Sequence, residues 1–227
     1  MTADTIYLAT IWIIPVIIAV TFHEAAHGFV AHLLGDDTAW RLGRVSFNPF
    51  KHIDPFGTIL LPGLLLMAHS PFLFGYAKPV PVNFRALRWP RAGMVLVAAA
   101  GPATNIVLAV IAALGFHLIG FLPVTVAQWV AANLKNALIL NVVLAVFNLF
   151  PLPPLDGGRI LTGILPKALA IPFARLEPYG LVILIGLLIA LPLLGAQLGV
   201  DLSLVSRFLA ISTGAIIKTI LVLTGNT

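Results

Sequence analysis

The stretch IYLATIWIIPVIIAVTFHEAAHGFVAHLL, residues 6–34, is an apolar run without a single Lys or Arg. It exceeds the about 20 apolar residues that carry a helix across a bilayer. Three ionisable side chains nevertheless stand together near its end: His23, Glu24 and His27. Because no basic residue precedes the run and no small-residue cleavage site is evident, we expect a retained membrane helix rather than a signal peptide.

The remainder of the chain has the same composition. Of its 227 residues, 60% are hydrophobic and only 9% charged, whereas soluble proteins carry about 25% charged residues. The apolar segments are approximately 6–34, 57–77, 93–120, 125–150, 177–195 and 204–224. We predict an all-α polytopic membrane protein with five to six transmembrane helices, which leaves no length for a soluble domain.

The basic residues are concentrated in the connections between these segments. A net charge of +5 is also typical of proteins that bind nucleic acid. Basic residues placed between apolar segments instead orient a protein in the lipid bilayer, so no nucleic-acid partner is expected. Ten of the 13 basic residues are Arg41, Arg44, Lys51, Lys78, Arg85, Arg88, Arg91, Arg159, Lys167 and Arg175. With this side cytoplasmic, the first and fourth segments both end there, in a multi-pass protein of the cell membrane.

Segment 57–77 differs from the other apolar segments. It contains Pro62, Gly63, Pro71 and Gly75, which favour a re-entrant segment that begins and ends on one side. A full sixth span remains the alternative, because the segment is long enough to cross. The flanking residues 44–47 and 79–84 are predicted as short β-strands near the active site, the second restricted to a sheet edge by its prolines.

The spacing of His23, Glu24 and His27 indicates a metal site. Residues four apart lie on one face of a helix, so both imidazoles can converge on one cation while Glu24 reaches water at the metal. This HExxH arrangement is typical of zinc metalloproteases. A purely structural hydrogen-bonded cluster is the alternative, but three ionisable groups inside a membrane helix are costly without a ligand or cavity.

A catalytic zinc normally takes three protein ligands and keeps one position open. The chain has no cysteine, so the third ligand is expected to be another His or a carboxylate. His32 lies well off the face of His27 on an unbroken helix and is a poor candidate. The acidic residues near other apolar segments are Asp54, Asp156, Glu177 and Asp201.

A second motif, NLFPLPPLDGG, ends the fourth segment at residues 148–158. Its prolines stop the helix, and its paired glycines permit close approach of the backbone. Alone, the motif is typical of a surface turn with a solvated Asp156. Because the first and fourth helices end at the same membrane face, we expect Asp156 to reach His23 and His27. Asn148, the last of a polar stripe with Asn133, Asn136 and Asn141, is the stripe residue expected to be functional.

The combination of HExxH with a distant Asn-x2-Pro-x3-Leu-Asp-Gly resembles the site-2 protease family of intramembrane zinc metalloproteases. The segment Gly101-Pro102-Ala103-Thr104-Asn105 is also similar to that family's Gly-Pro-x-x-Asn element. The resemblance implies one zinc ion per chain, held by His23, His27 and Asp156, with Glu24 as general acid and base. It further implies that Asn148 lies beside the site, where its amide would hold a substrate carbonyl or the oxyanion.

The resemblance also predicts the organisation and function. It covers residues 1–160, which are predicted to be the membrane-embedded metalloprotease core, whereas the two apolar segments within 161–227 are predicted to be additional C-terminal transmembrane helices. Related enzymes often carry a PDZ or CBS domain, and none is expected here because the chain has no length for either. The predicted function is hydrolysis of peptide bonds within or near transmembrane segments of membrane proteins. The alternatives are a divalent-metal transporter and a non-cleaving pseudoprotease. Ligands clustered near one membrane face favour hydrolysis over transport, and the presence of Glu24 argues against a pseudoprotease. Residues 80–84 either pair with an unwound substrate or only brace segment 57–77. The sequence gives no indication of the oligomeric state.

Overall fold

The computed structural model of the protein describes residues 3–60, residue 64 and residues 77–226. Within that part of the chain every regular element is helical. The α-helices are α1 (Ala3–Leu33), α2 (Thr38–Arg41), α3 (Pro90–Gly115), α4 (Val124–Asn148), α5 (Asp156–Ile164), α6 (Lys167–Ala174), α7 (Gly180–Ile185), α8 (Leu191–Leu198) and α9 (Leu204–Leu223). The 3₁₀ turns are Pro49–His52, Phe116–Phe121 and Glu177–Tyr179, and the π-helical turns are Pro55–Leu60 and Gly186–Ala190.

Five helical stretches among the described residues are long and apolar enough to cross a membrane. They are Ile6–Leu33, Pro90–Phe121, Val124–Asn148, Lys167–Leu198 and Leu204–Leu223. The predicted all-α fold with at least five spans is therefore confirmed. The fourth stretch begins ten residues before the predicted 177–195, because α6 and the 3₁₀ turn at Glu177–Tyr179 continue it backwards through Pro172 and Pro178.

Helix α3 lies at the centre of the bundle, where it packs against α1, α4 and α5. Small residues make this position possible: Gly101, Ala109, Ala112 and Ala113 are all buried, and small side chains let membrane helices approach closely. The last three join a buried cluster with Leu138, Val142 and Val146 of α4 and Ile220 of α9. The cluster fixes α9 against the two central helices.

The predicted strands are wrong within the described residues. Neither 44–47 nor 79–84 forms a strand. The physical reason is that Pro79 and Pro81 have no N–H, while neighbouring backbone groups are bound to side chains rather than to a second strand. Arg44 Nη2, for example, donates to the carbonyl oxygen of Lys78 at 2.7 Å.

The segment predicted as re-entrant lies mostly outside the described residues, which omit 61–63 and 65–76. Its two flanks are described and meet each other. The backbone N–H of Lys78 donates to the carbonyl oxygen of His52 at 2.9 Å. Residues 52 and 78 are therefore neighbours in space.

Candidate metal centre

Helix α1 places His23 and His27 side by side in the middle of the bundle. Both residues are buried, each 8% exposed. Their rings stand at 85° to each other with centroids 4.6 Å apart, and their Nε2 atoms are 3.0 Å apart. One turn of an unbroken helix separates the two residues, as the HExxH spacing predicts.

Asp156, the first residue of α5, brings a carboxylate oxygen next to the two imidazoles. Its Oδ2 lies 3.2 Å from His23 Nε2 and 3.4 Å from His27 Nε2. The turn before α5 is tight: a Cβ at Gly157 would lie 2.1 Å from the carbonyl oxygen of Leu149. Only glycine permits that approach, so the paired glycines allow the turn to aim Asp156 into the bundle.

The three converging atoms have the spacing of a zinc site. At bonds of about 2.0–2.1 Å, tetrahedral zinc holds neighbouring ligand atoms about 3.3 Å apart, and the observed separations are 3.0–3.4 Å. Asp156 Oδ2 is fully buried and has no hydrogen-bond partner among the described residues. A buried carboxylate oxygen without a partner is costly, and a cation would satisfy it.

The charge of Asp156 also suits a cation. Burial by itself would raise the pKa of this carboxyl, but the neighbouring imidazoles of His23 and His27, in their protonated forms, lower it to about 2. Asp156 is therefore ionised at neutral pH. Two imidazoles and one carboxylate form a donor set found in catalytic zinc sites.

Hydrogen bonds behind the two histidines orient their rings. His27 Nδ1 lies 2.7 Å from the carbonyl oxygen of Val97, and His23 Nδ1 lies 2.6 Å from Oδ1 of Asn105. A carbonyl oxygen only accepts, so His27 must donate from Nδ1, and in the neutral ring the lone pair is then carried by Nε2, the atom 3.4 Å from Asp156 Oδ2. Such partners fix the tautomer of metal-binding histidines and increase their basicity.

Asn105 is held in the orientation that His23 requires. Its Nδ2 donates to Oδ1 of Asn141 at 2.8 Å and to the carbonyl oxygen of Ala19 at 3.3 Å. The amide oxygen is thereby left for His23 Nδ1. The sequence identifies the Gly-Pro-x-x-Asn element but assigns no role to Asn105. An Asn inside an apolar helix was the available signal, but the sequence does not show which helix it faces.

Gly101, in the same element, lets α3 lie directly against the imidazoles. A Cβ at this position would be 2.5 Å from His23 Cε1 and 2.5 Å from His27 Nε2. Contacts this short do not occur in folded proteins, so a side chain here would displace the rings. Glycine at residue 101 is therefore needed by the site as well as by helix packing.

Glu24 and Asn148 border the same cavity, which has a volume of about 370 Å³ and also contains His23, His27 and Asp156. Glu24 is half-buried, and its Oε2 accepts a hydrogen bond from the backbone N–H of Val80 at 2.8 Å. Asn148 is likewise half-buried and donates from Nδ2 to the carbonyl oxygen of Leu144 on its own helix. The structure thus brings all five predicted site residues together.

The other candidate ligands lie elsewhere. His32 pairs with Asp37 at 2.7 Å and stacks on Trp40. Glu177 pairs with Arg159 at 3.5 Å, and Asp201 with Arg207 at 3.8 Å. Asp54 accepts hydrogen bonds from the backbone N–H groups of Phe56 and Gly57. Among the described residues, the one group of three or more His or acidic side chains placed to share a metal is His23, His27 and Asp156.

The fold and this centre define the class of the protein: a polytopic membrane protein whose helices enclose a buried His2Asp cluster with the spacing of a metal site. Comparison with known proteins supplies the family. The sequence profile of Peptidase family M50 matches residues 119–191. A zinc metalloprotease by name, YwhC of Bacillus subtilis (strain 168), is 41% identical over 184 residues, which cover 78% of this chain and 79% of that protein.

A second relative, Rip2 of Mycobacterium tuberculosis (strain ATCC 25618 / H37Rv), is also named as a zinc metalloprotease. It is 30% identical over 199 residues, covering 86% of this chain and 74% of that protein. No solved structure matches the chain. The chain belongs to peptidase family M50, which confirms the resemblance to site-2 proteases, and it is a multi-pass zinc metalloprotease.

Proposed function

We propose that the protein hydrolyses peptide bonds within or next to transmembrane segments of membrane-protein substrates, as in regulated intramembrane proteolysis. The observation that supports this proposal is the position of the centre. His23 and His27 lie within a membrane-spanning helix and are buried by α3, another spanning helix. A peptide bond that reaches this cavity is presented from the bilayer or from its surface.

We assign His23, His27 and Asp156 as the ligands of one zinc ion per chain. The convergence of their Nε2 and Oδ2 atoms within 3.0–3.4 Å supports the assignment. Bound zinc supplies a Lewis acid that activates water and polarises the substrate carbonyl. The chain's own contribution is to orient both imidazoles through Val97 and Asn105 and to keep Asp156 ionised.

Glu24 is assigned as the general acid and base. It lines the cavity next to the three ligands, where its carboxylate accepts a proton from the attacking water and then delivers that proton to the leaving amine. Because Glu24 follows His23 directly on α1, its position is fixed by the helix that provides two of the ligands. A rigid element of this kind places catalytic groups more accurately than a loop does.

Asn148 is assigned to the substrate carbonyl. Its Nδ2 donates to the carbonyl oxygen of Leu144, and a change of side-chain rotamer would turn the amide toward the cavity it lines. There the N–H groups would stabilise the oxyanion that develops on the carbonyl, a contribution of about 10²–10³ in kcat for one donor. The substrate helix must unwind locally, because its peptide groups are hydrogen-bonded within the helix.

We further propose that the centre lies toward the cytoplasmic side. Helices α1 and α4 both end beside it, at Leu33 and Asn148. The connections that follow these two ends carry most of the basic residues, and such connections remain in the cytoplasm. The division into a core of residues 1–160 and two additional helices in 161–227 belongs to the same proposal.

The deciding experiment compares the purified protein with its Glu24→Gln and Asp156→Ala variants on a panel of tagged transmembrane segments. We expect equal zinc in the parent and Glu24→Gln but cleavage by the parent alone, and loss of zinc from Asp156→Ala. Asp201→Ala, a change at an exposed carboxylate, serves as the control and retains zinc and cleavage. Equal cleavage by Glu24→Gln would refute the mechanism, and zinc transport into proteoliposomes without cleavage would establish the transporter instead.

A further inference from the structure

Residues 77–83, which form no helix or strand, pass beside Glu24. The central residue of this segment, Val80, is buried and donates its backbone N–H to Glu24 Oε2 at 2.8 Å. Pro79 and Pro81 on either side have no N–H to donate. Val80 is therefore the residue of this tripeptide that can supply a backbone donor to the carboxylate.

Helix α1 leaves space for the side chain of Val80 at Gly28. Gly28 lies four residues after Glu24 and so on the same face of the helix. A Cβ at Gly28 would lie 3.0 Å from Val80 Cγ1 and 2.8 Å from Val45 Cγ2. The missing side chain at residue 28 lets Val80 come close enough to α1 for its N–H to reach Glu24.

Two side chains, one buried and one half-buried, form hydrogen bonds with the backbone of the segment on either side of Val80. Before it, Arg44 Nη2 donates to the carbonyl oxygen of Lys78 at 2.7 Å. After it, the N–H of Asn83 donates to Asp36 Oδ2 at 2.6 Å. Asp36 is 1% exposed and also accepts the backbone N–H of Thr38, so this anchor is itself fixed to the end of α1.

We propose that Val80 is a positioning residue for the general base: its backbone N–H holds one carboxylate oxygen of Glu24, so that the other oxygen keeps a fixed direction toward the reacting water. The inference rests on the proposed function, in which Glu24 transfers the proton. A carboxylate with no partner rotates about its side-chain bonds and spends less time in the reactive orientation. The segment thus acts on catalysis through Glu24 and not through a ligand of the metal.

The test removes the N–H and leaves the rest of the site intact. Val80→Pro deletes the donor in a segment that already contains two prolines, and Val80→Ala retains the donor while shortening the side chain. A third form carries the α-hydroxy analogue of valine at residue 80, introduced by cell-free synthesis, which replaces the N–H with an ester oxygen and keeps the side chain.

We expect the proline and ester forms to lose about tenfold or more in kcat, a part of the 10²–10⁴ that a positioned acid–base group contributes. Their KM and zinc content remain those of the parent, and Val80→Ala, which keeps the donor, loses less kcat than either of them. Equal kcat for the ester form and the parent would overturn the proposal. So would a rise in KM at unchanged kcat, which would make residue 80 a substrate-binding position.

Hydrogen exchange tests the same contact without any cleavage. The amide of Val80 should exchange slowly in the parent and in Glu24→Gln, whose side-chain carbonyl still accepts, and at least tenfold faster in Glu24→Ala. Equal exchange in all three proteins would refute the contact. Failure of the parent to cleave any segment, with this exchange pattern present, would count against the proposed function and not against the Glu24 contact.

Discussion

His23 and Asn105, 82 positions apart in the sequence, share a hydrogen bond of 2.6 Å that joins α1 to α3 behind the metal centre. Asn141 on α4 extends the connection, because its Oδ1 accepts from Asn105. Three membrane-spanning helices are thus linked through side-chain amides to a single imidazole. The orientation of His23 depends on the packing of all three helices.

The first prediction concerns this link. Asn105→Ala removes the acceptor of His23 Nδ1 and leaves the ring free to turn, so we expect zinc affinity to fall by about ten- to hundredfold. Zinc retained during competition with a chelator measures the change. Asn133→Ala is the matched control, because Asn133 bonds the carbonyl oxygen of Trp129 on its own helix. Identical zinc retention in the two variants would show that Asn105 does not support the centre.

The second prediction concerns Gly101. Adding one methyl group in Gly101→Ala places a carbon 2.5 Å from both imidazoles, so the rings must move and we expect loss of bound zinc and of cleavage. Gly214→Ala adds the same methyl group to α9, where a Cβ has no neighbour within 4 Å. That variant keeps its zinc and gains helix stability of up to about 1 kcal/mol. Full zinc occupancy in purified Gly101→Ala would contradict the observed packing.

The third prediction concerns orientation in the membrane. The chain contains no cysteine, so single cysteines can be introduced without removing others. Leu42→Cys, on the connection after α1, and Phe121→Cys, at the other end of the α3 span, both replace exposed side chains. In intact cells an impermeant maleimide should label residue 121 and not residue 42, and inverted vesicles should reverse the pattern. Labelling of residue 42 from outside would place the centre on the opposite face.

Much of the centre could be predicted because its chemistry is local in the sequence. The pairing of His23 with His27 depends only on helix geometry, and Glu24 follows from the same spacing. Asp156 is harder to predict as a ligand, because a Pro-rich turn is typical of the protein surface, where the carboxylate would be solvated. The shared direction of the first and fourth helices provided the reason to expect that Asp156 meets the histidines.

The partners of these residues could not be predicted, because they depend on which faces of the helices meet. Asn105 and Asn141 are two polar residues among several on apolar helices, and only the packing of α3 shows that they face His23. The strands were predicted wrongly for a related reason. Residues 79–83 form no regular element and Phe84 begins a turn. Their backbone groups bind Glu24, Arg44 and Asp36, which periodicity does not show.

The hydrogen bond between Lys78 and His52 has a consequence for changes in the length of this chain. It holds residues 52 and 78 together, and we therefore expect a change of length between them to leave Val80 and Glu24 in place. Insertions between residues 52 and 78 are therefore expected to retain the contact between Val80 and Glu24, and they can be used to test whether this stretch affects which segments reach the centre.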